Sequence, residues 1–123
     1  MSTVDLNQQT FESTLSENGI VIVDWWASWC GPCMAFAPVY QSVSSRHEDI
    51  VFAKVDTEAE MELSAAAQIQ SIPTLMIFRD GILVFRQAGA LPEDALEDLV
   101  AQARALDMDE VRAAMAEQEA AKA

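Results

Sequence analysis

The stretch Ile20-Val21-Ile22-Val23-Asp24-Trp25-Trp26-Ala27-Ser28-Trp29-Cys30-Gly31-Pro32-Cys33 joins an apolar run, the only two cysteines of the chain and the start of a helical pattern. Residues 20 to 26 are apolar on both alternating faces, which predicts a central strand covered by helices on each side. The cysteines follow directly, three positions apart. A thiol becomes a useful nucleophile only as thiolate, and the partial positive charge of a helix N-terminus favours that anion. Cys30 sits where the field acts. Gly31 and Pro32 let the chain turn so that the Cys33 sulfur reaches the Cys30 sulfur, and Pro32 suits a first helical turn, where no backbone donor is needed. The pair can therefore attack a disulfide in two steps. Cys30 forms the mixed disulfide and Cys33 resolves it.

Other chemistries for two cysteines fit less well. A structural zinc site wants four ligands, whereas the one histidine, His47, is predicted several helical turns away and facing elsewhere. Covalent haem attachment needs histidine directly after the second cysteine, and Met34 stands there. An inert disulfide closing so short a loop restricts the unfolded chain little. The two-residue gap alone is unspecific; its placement between a strand and a helix is what points to redox work.

With those residues in view, Val23 to Cys33 resembles the active-site region of the thioredoxin family. The likeness continues through Ile72-Pro73-Thr74, Asp80-Gly81 and Gly89-Ala90, spans about residues 3 to 106, and leaves the tail outside. It implies an α/β thioredoxin fold, a central mixed five-stranded sheet flanked by helices, with an extra helix at the C-terminus. The domain boundaries expected are 1 to 106 for the fold and 107 to 123 for an acidic helical extension. The resemblance implies general protein disulfide reduction by a Cys30 and Cys33 dithiol that becomes a redox disulfide. Re-reduction falls to an NADPH-dependent thioredoxin reductase, because this chain has no dinucleotide-binding glycine pattern. It further implies that Asp24 lies beneath the resolving cysteine and helps deprotonate it, and that Lys54 tunes Asp24. Pro73 is implied to follow a cis bond against the cysteine pair. Trp29, Gly31, Pro32, Ile72, Pro73, Gly89 and Ala90 are implied to form the apolar rim that meets substrates, with the Ile72 backbone free to pair with an extended segment. No metal and no bound cofactor are expected.

Composition bounds the same reading. A chain of 123 residues with 51% hydrophobic content can bury one full core. Its formal charge of −13, from 20 acids and 7 bases, argues against nucleic acid and against anionic membrane surfaces. The segment Met1 to Leu6 has neither a basic nor a long apolar stretch, and no apolar run approaches a membrane span. A cytoplasmic monomer acting on disulfide-containing substrate proteins is the expectation.

Taken in order, Thr3 to Leu6 reads as a short edge strand and Asn7 as the cap of a helix running to about Glu17. Asp24 is the one carboxyl in the central strand. It is either desolvated, with a raised pKa, or reaches a wet strand end. The helix from Pro32 to about Arg46 contains Pro38, where a kink is expected. Ile50 to Val55 is a second strand, whose Lys54 either snorkels to water or approaches Asp24. Glu58 to Gln68 reads as a short helix with Met61 and Leu63 inward. Thr74 to Arg79 and Ile82 to Gln87 flank the hairpin turn Asp80-Gly81. Pro92 opens a helix with Leu96, Leu99, Val100, Ala103 and Leu106 on one face.

The tail starts again at Asp107, an approximate capping box with Glu110, and Met108, Val111 and Met115 share a stripe. Either this helix packs weakly and frays by about Glu119, or it docks a partner. Residues 91 to 123 hold nine acids and three bases, so a partner surface should be basic or neutral. Two rival functions keep the same chain: a dithiol oxidant or isomerase, which the Gly-Pro dipeptide disfavours, and a redox-optional binding subunit, which the intact cysteine pair disfavours. Met34 stands where the family usually carries a cation, so the thiolate has less electrostatic support.

Overall fold

The structure, a computed structural model, describes residues 3–122. Strands β1 (Thr3–Asp5), β2 (Ile20–Trp26), β3 (Val51–Asp56), β4 (Thr74–Arg79) and β5 (Ile82–Ala88) form one sheet in the order β1-β3-β2-β4-β5. The helices are α1 (Phe11–Glu17), α2 (Gly31–Ser44), α3 (Met61–Ala66), α4 (Glu93–Ala105) and α5 (Met108–Lys122). β1, β3 and β2 run parallel, while β4 and β5 are antiparallel to their neighbours. Crossover helices supply the parallel connections, and the Asp80-Gly81 turn closes the hairpin. Both turn residues have positive φ, 53° and 80°, the backbone twist that suits a two-residue hairpin. The pairing shifts from Ile77↔Phe85 to Phe78↔Leu83, so Val84 bulges out of the ladder.

Alternation along β2 sorts its side chains into two cores. Ile22 joins Phe36, Tyr40 and Val43 of α2 and Leu96, Val100 and Ala103 of α4. Val21, Val23 and Trp25 point the other way, to Leu63 of α3 and to Phe11 and Leu15 of α1. Period-2 geometry therefore puts Asp24 and its register partner Lys54 on the α2 side of the sheet. Pro38 lies within α2, and the helix runs through it. Its ring removes only the donor that the Met34 carbonyl would otherwise receive.

Several expectations need correction. Asn7 caps the turn that leads into α1 and not α1's own first residue: its Oδ1 accepts from the backbone N–H of Gln9 and Thr10 and its carbonyl from that of Phe11, so the regular helix starts only at Phe11. The helix expected over 58 to 68 is only Met61–Ala66, because Asp56 Oδ1 accepts from the N–H of Glu58 and so holds that segment in a turn. Met61 faces solvent at 71% exposure, whereas Leu63 is buried. Two residues apart on a helix lie about 200° apart, so both cannot face one core, and the larger buried neighbourhood selects Leu63. The tail helix does not fray by Glu119; it continues to Lys122. Asp107 does cap it, accepting from the N–H of Asp109 at 3.0 Å.

Only Met108 of α5 is buried, and Arg112 reaches Asp80 at 3.3 Å. Ile20 pairs with Arg79 and Trp25 with Thr74, so the hairpin turn and the start of α5 lie at the end of the sheet opposite the cysteines. Arg79 holds that junction by donating to the Ala103 carbonyl at 2.5 Å.

Candidate active site

β2 ends at Trp26, the chain turns through Ala27 to Trp29, and α2 begins at Gly31. Cys30 is therefore the residue before the helix, with extended backbone at φ −89° and ψ 109°, and its sulfur accepts the N–H of Cys33 at 3.2 Å. That is the position where serine or aspartate oxygens usually cap helices, so an anionic Cys30 sulfur is held by the donors and the dipole of the first turn. Cys30 and Cys33 are disulfide-bonded, with Cα atoms 5.2 Å apart. Cys33 is more deeply buried, 1% exposed against 5% for Cys30. The difference orders the chemistry: the outer sulfur meets a substrate and the inner one waits.

Asp24 is 1% exposed, and neither of its carboxylate oxygens has a hydrogen-bond partner among the described residues. Desolvation pushes its carboxyl up to about 7, against the pull of the Lys54 ammonium, which lowers it. The buried alternative for Asp24 is thus the one realised. A carboxyl that titrates near neutrality on the sheet face beneath α2 can take or give a proton in that range. Lys54 stands at Asp24's register position on β3, with Nζ 4.5 Å from the centroid of the Trp26 ring. The ring face of Trp26, on the neighbouring strand, holds the ammonium.

The rim residues fall together at this end of the sheet. Trp29, Gly31, Pro32, Gly89 and Ala90 are exposed, Ile72 is half-buried and Pro73 is buried. The Ile72–Pro73 bond is cis. The Ile72 carbonyl lies 3.7 Å from Cys30 Sγ, within reach of a thiol donor in the reduced pair. Gly89 donates its N–H to the Pro73 carbonyl at 2.8 Å and has φ 104°, a conformation that glycine adopts without penalty. Met34 is half exposed on the first turn of α2, an apolar neighbour to the pair.

Three features escaped the sequence. The Tyr40 hydroxyl lies 2.9 Å from the Ile22 carbonyl and 2.8 Å from that of Ala53, so its proton is shared between two strands under Asp24's face. Burial and the Asp24 charge hold its pKa well above the usual tyrosine range. Arg86 of β5 donates to the carbonyls of Ala67 and Gln68 at the end of α3, where Gln68 has φ 58°. Beside the cysteines a groove of about 490 Å³ opens between Trp29, Met61 and Ile72. The groove was missed because helical periodicity put Met61 on the covered face, and no sequence signal marked it as exposed.

A sheet of this topology that presents a sulfur-capped helix above a buried, near-neutral carboxyl defines a thiol–disulfide exchange protein. The sequence model of the Thioredoxin family matches residues 2–102. A relative from Streptomyces coelicolor, described as putative thioredoxin 2, is 56% identical over 119 residues, 97% of this chain and 89% of the relative. Bacillus subtilis thioredoxin is 37% identical over 101 residues, covering 81% of this chain and 96% of that one. Among solved structures, Plasmodium falciparum thioredoxin superposes with a TM-score of 0.75 at 36% identity, over 81% of this chain and 97% of the other. The chain belongs to the thioredoxin family. It has the thioredoxin fold, and its activity is protein-disulfide oxidoreduction through Cys30 and Cys33. An alignment of 119 residues must also run into α5, so the Streptomyces relative has sequence that aligns with part of that segment.

Proposed function

We propose that the couple runs as a general reductase of protein disulfides. The observation that carries this reading is the Gly31-Pro32 link, which adds no histidine to stabilise the reduced thiolate beyond what the helix start gives the Cys30 sulfur. Electrons then leave the dithiol readily. Cys30 thiolate attacks one sulfur of a substrate disulfide, and the other sulfur departs as a thiolate that takes up a proton. Cys33 gives its proton to Asp24 and attacks Cys30 Sγ; the bond from Cys30 to substrate breaks, the second substrate sulfur leaves as a thiolate that takes up a proton from Asp24 or solvent, and the Cys30–Cys33 disulfide closes. Two electrons and two protons have passed to substrate.

A thioredoxin reductase drawing on NADPH returns them. In these steps Lys54 tunes Asp24, and Trp29, Gly31, Pro32, Ile72, Pro73, Gly89 and Ala90 form or support the contact surface. The chain works as a monomer, in the cytoplasm, where a reducing supply keeps the dithiol charged. The family domain ends near residue 106, with residues 107 to 123 as an appended helix. Among the described residues no helix is long and apolar enough to cross a membrane.

The deciding measurement is the reduction potential of the pair, equilibrated in graded thiol buffers and read by Trp29 fluorescence. Reference values are about −270 mV for thioredoxin, about −180 mV for protein disulfide isomerase and about −120 mV for a strong periplasmic oxidant. A potential near the first is expected. One above about −200 mV would reassign the chain to oxidation or isomerisation.

A further inference from the structure

The groove beside the cysteines has a chemistry of its own. It is lined in part by Trp29, Glu58, Met61, Ser64, Ile69 and Ile72, and it reaches the reacting sulfur through Ile72, whose carbonyl lies 3.7 Å from Cys30 Sγ. Its two walls are large apolar side chains left in water: Trp29 is 69% exposed and Met61 71%. Such exposure costs solvation free energy that a bound apolar group recovers. Methionine is unbranched and polarisable, so its wall can adapt to side chains of different shape, whereas Trp29 offers a flat one.

Charge adds a second selection. Glu58 is exposed and, among the described residues, is the one charged residue lining the groove, with no cation beside it. The neighbouring cations are occupied elsewhere. Lys54 lies over Trp26 on the other side of the sheet, and Arg86 is bound to the end of α3. The Met34 side chain adds no positive charge on the α2 side.

We infer that this groove selects substrate segments carrying a bulky apolar side chain and a lysine or arginine close to the disulfide cysteine. The inference rests on the reductase reading and names its preferred substrates. The apolar side chain lies between Trp29 and Met61, and the cation meets Glu58. An acidic segment at the same place meets like charge in a protein already at −13. Bond changes are those of the exchange itself: the peptide sulfur joined to Cys30 is the one whose flanking residues occupy the groove, and its partner leaves as thiol.

The test uses the full reduced chain and three symmetric disulfide-linked peptide dimers in which the cysteine is flanked by Leu and Lys, by Leu and Glu, or by Ser and Lys. Single-turnover rate constants are read by Trp29 fluorescence and compared as ratios within each protein, which cancels any change in cysteine reactivity. The Leu/Lys dimer should react about threefold faster than Leu/Glu, in keeping with one exposed charge pair. It should react about fivefold faster than Ser/Lys, in keeping with one apolar side chain in a pocket. Glu58→Lys should abolish or invert the first ratio, and Met61→Ser should shrink the second. Both sites are exposed, so the variants keep the core intact. Glu117→Lys, an equal charge change on α5, should leave the first ratio as it was.

Ratios that stay the same in Glu58→Lys and Met61→Ser would overturn the assignment, as would a Glu117→Lys effect equal to that of Glu58→Lys. Bis(2-hydroxyethyl) disulfide, too small to fill the groove, separates the two readings. If the unaltered chain reduces it while the peptide ratios are near one, the groove assignment fails alone. If it is not reduced at all, the reductase reading fails with it.

Discussion

Replacing Asp24 by asparagine should stabilise the folded protein increasingly as pH rises. The unfolded carboxyl releases its proton near 3.8, whereas the folded one holds it to about 7. Between those values the folded state binds the extra proton, so each step upward in pH costs native stability. Below 3.8 both states are protonated and there is no penalty; above about 7 both are ionised and the penalty is complete. At about 1.36 kcal/mol for each pH unit, that interval amounts to about 4 kcal/mol. Asparagine has nearly the same shape and never ionises, so it removes the pH-dependent part and leaves only a constant offset from its unpaired amide. The assay is urea unfolding of the oxidised protein and of Asp24→Asn from about pH 4 to about pH 8.5. The difference in unfolding free energy should grow across the window by up to about 4 kcal/mol and flatten above it. A difference that does not change with pH would refute the argument, since it would mean that Asp24 titrates alike in both states. The same variant should slow resolution of a mixed disulfide, because Cys33 loses its proton acceptor.

Three further outcomes follow from contacts away from the cysteines. Arg86→Met should cost about 1 kcal/mol by leaving the α3 carbonyls of Ala67 and Gln68 without their donor. Amide hydrogen exchange should show the loosening concentrated in α3. Truncation after Arg112 keeps buried Met108 and the Arg112–Asp80 contact, and should move the unfolding free energy by less than about 0.5 kcal/mol. Truncation after Leu106 removes Met108 as well, and chemical denaturation should then register a loss of about 2 kcal/mol.

The elements legible in the sequence were those fixed by local rules. The apolar run at residues 20 to 26, the Asp80-Gly81 turn and the α4 stripe each carry a period or a turn chemistry that tertiary contacts only reinforce. The cysteine pair was legible for the same reason, since a nucleophile at a strand-to-helix turn is a local arrangement. Contacts distant in sequence were not legible. Arg86 reaches α3 across 18 residues and more, and Tyr40 reaches carbonyls of β2 and β3 through its hydroxyl alone, which no helical pattern distinguishes from an ordinary core aromatic. Met61 was misplaced because periodicity says which residues share a face without saying which face is covered. Asn7 was legible as a cap, but the turn over residues 8 to 10 that separates it from the regular helix was not.

The position of α5 has a practical side. Its 15 residues span about 22 Å, and its origin lies at the hairpin turn, across the whole length of the sheet from the reacting sulfur. A dye, a surface linker or a fused protein attached near Ala121 would hang from a helix that is rooted at the end of the sheet opposite the cysteines and whose residues 112 to 122 are all exposed. Immobilised through that helix, the protein would be held by an element that lends no residue to the site, with its cysteines left free to meet a disulfide.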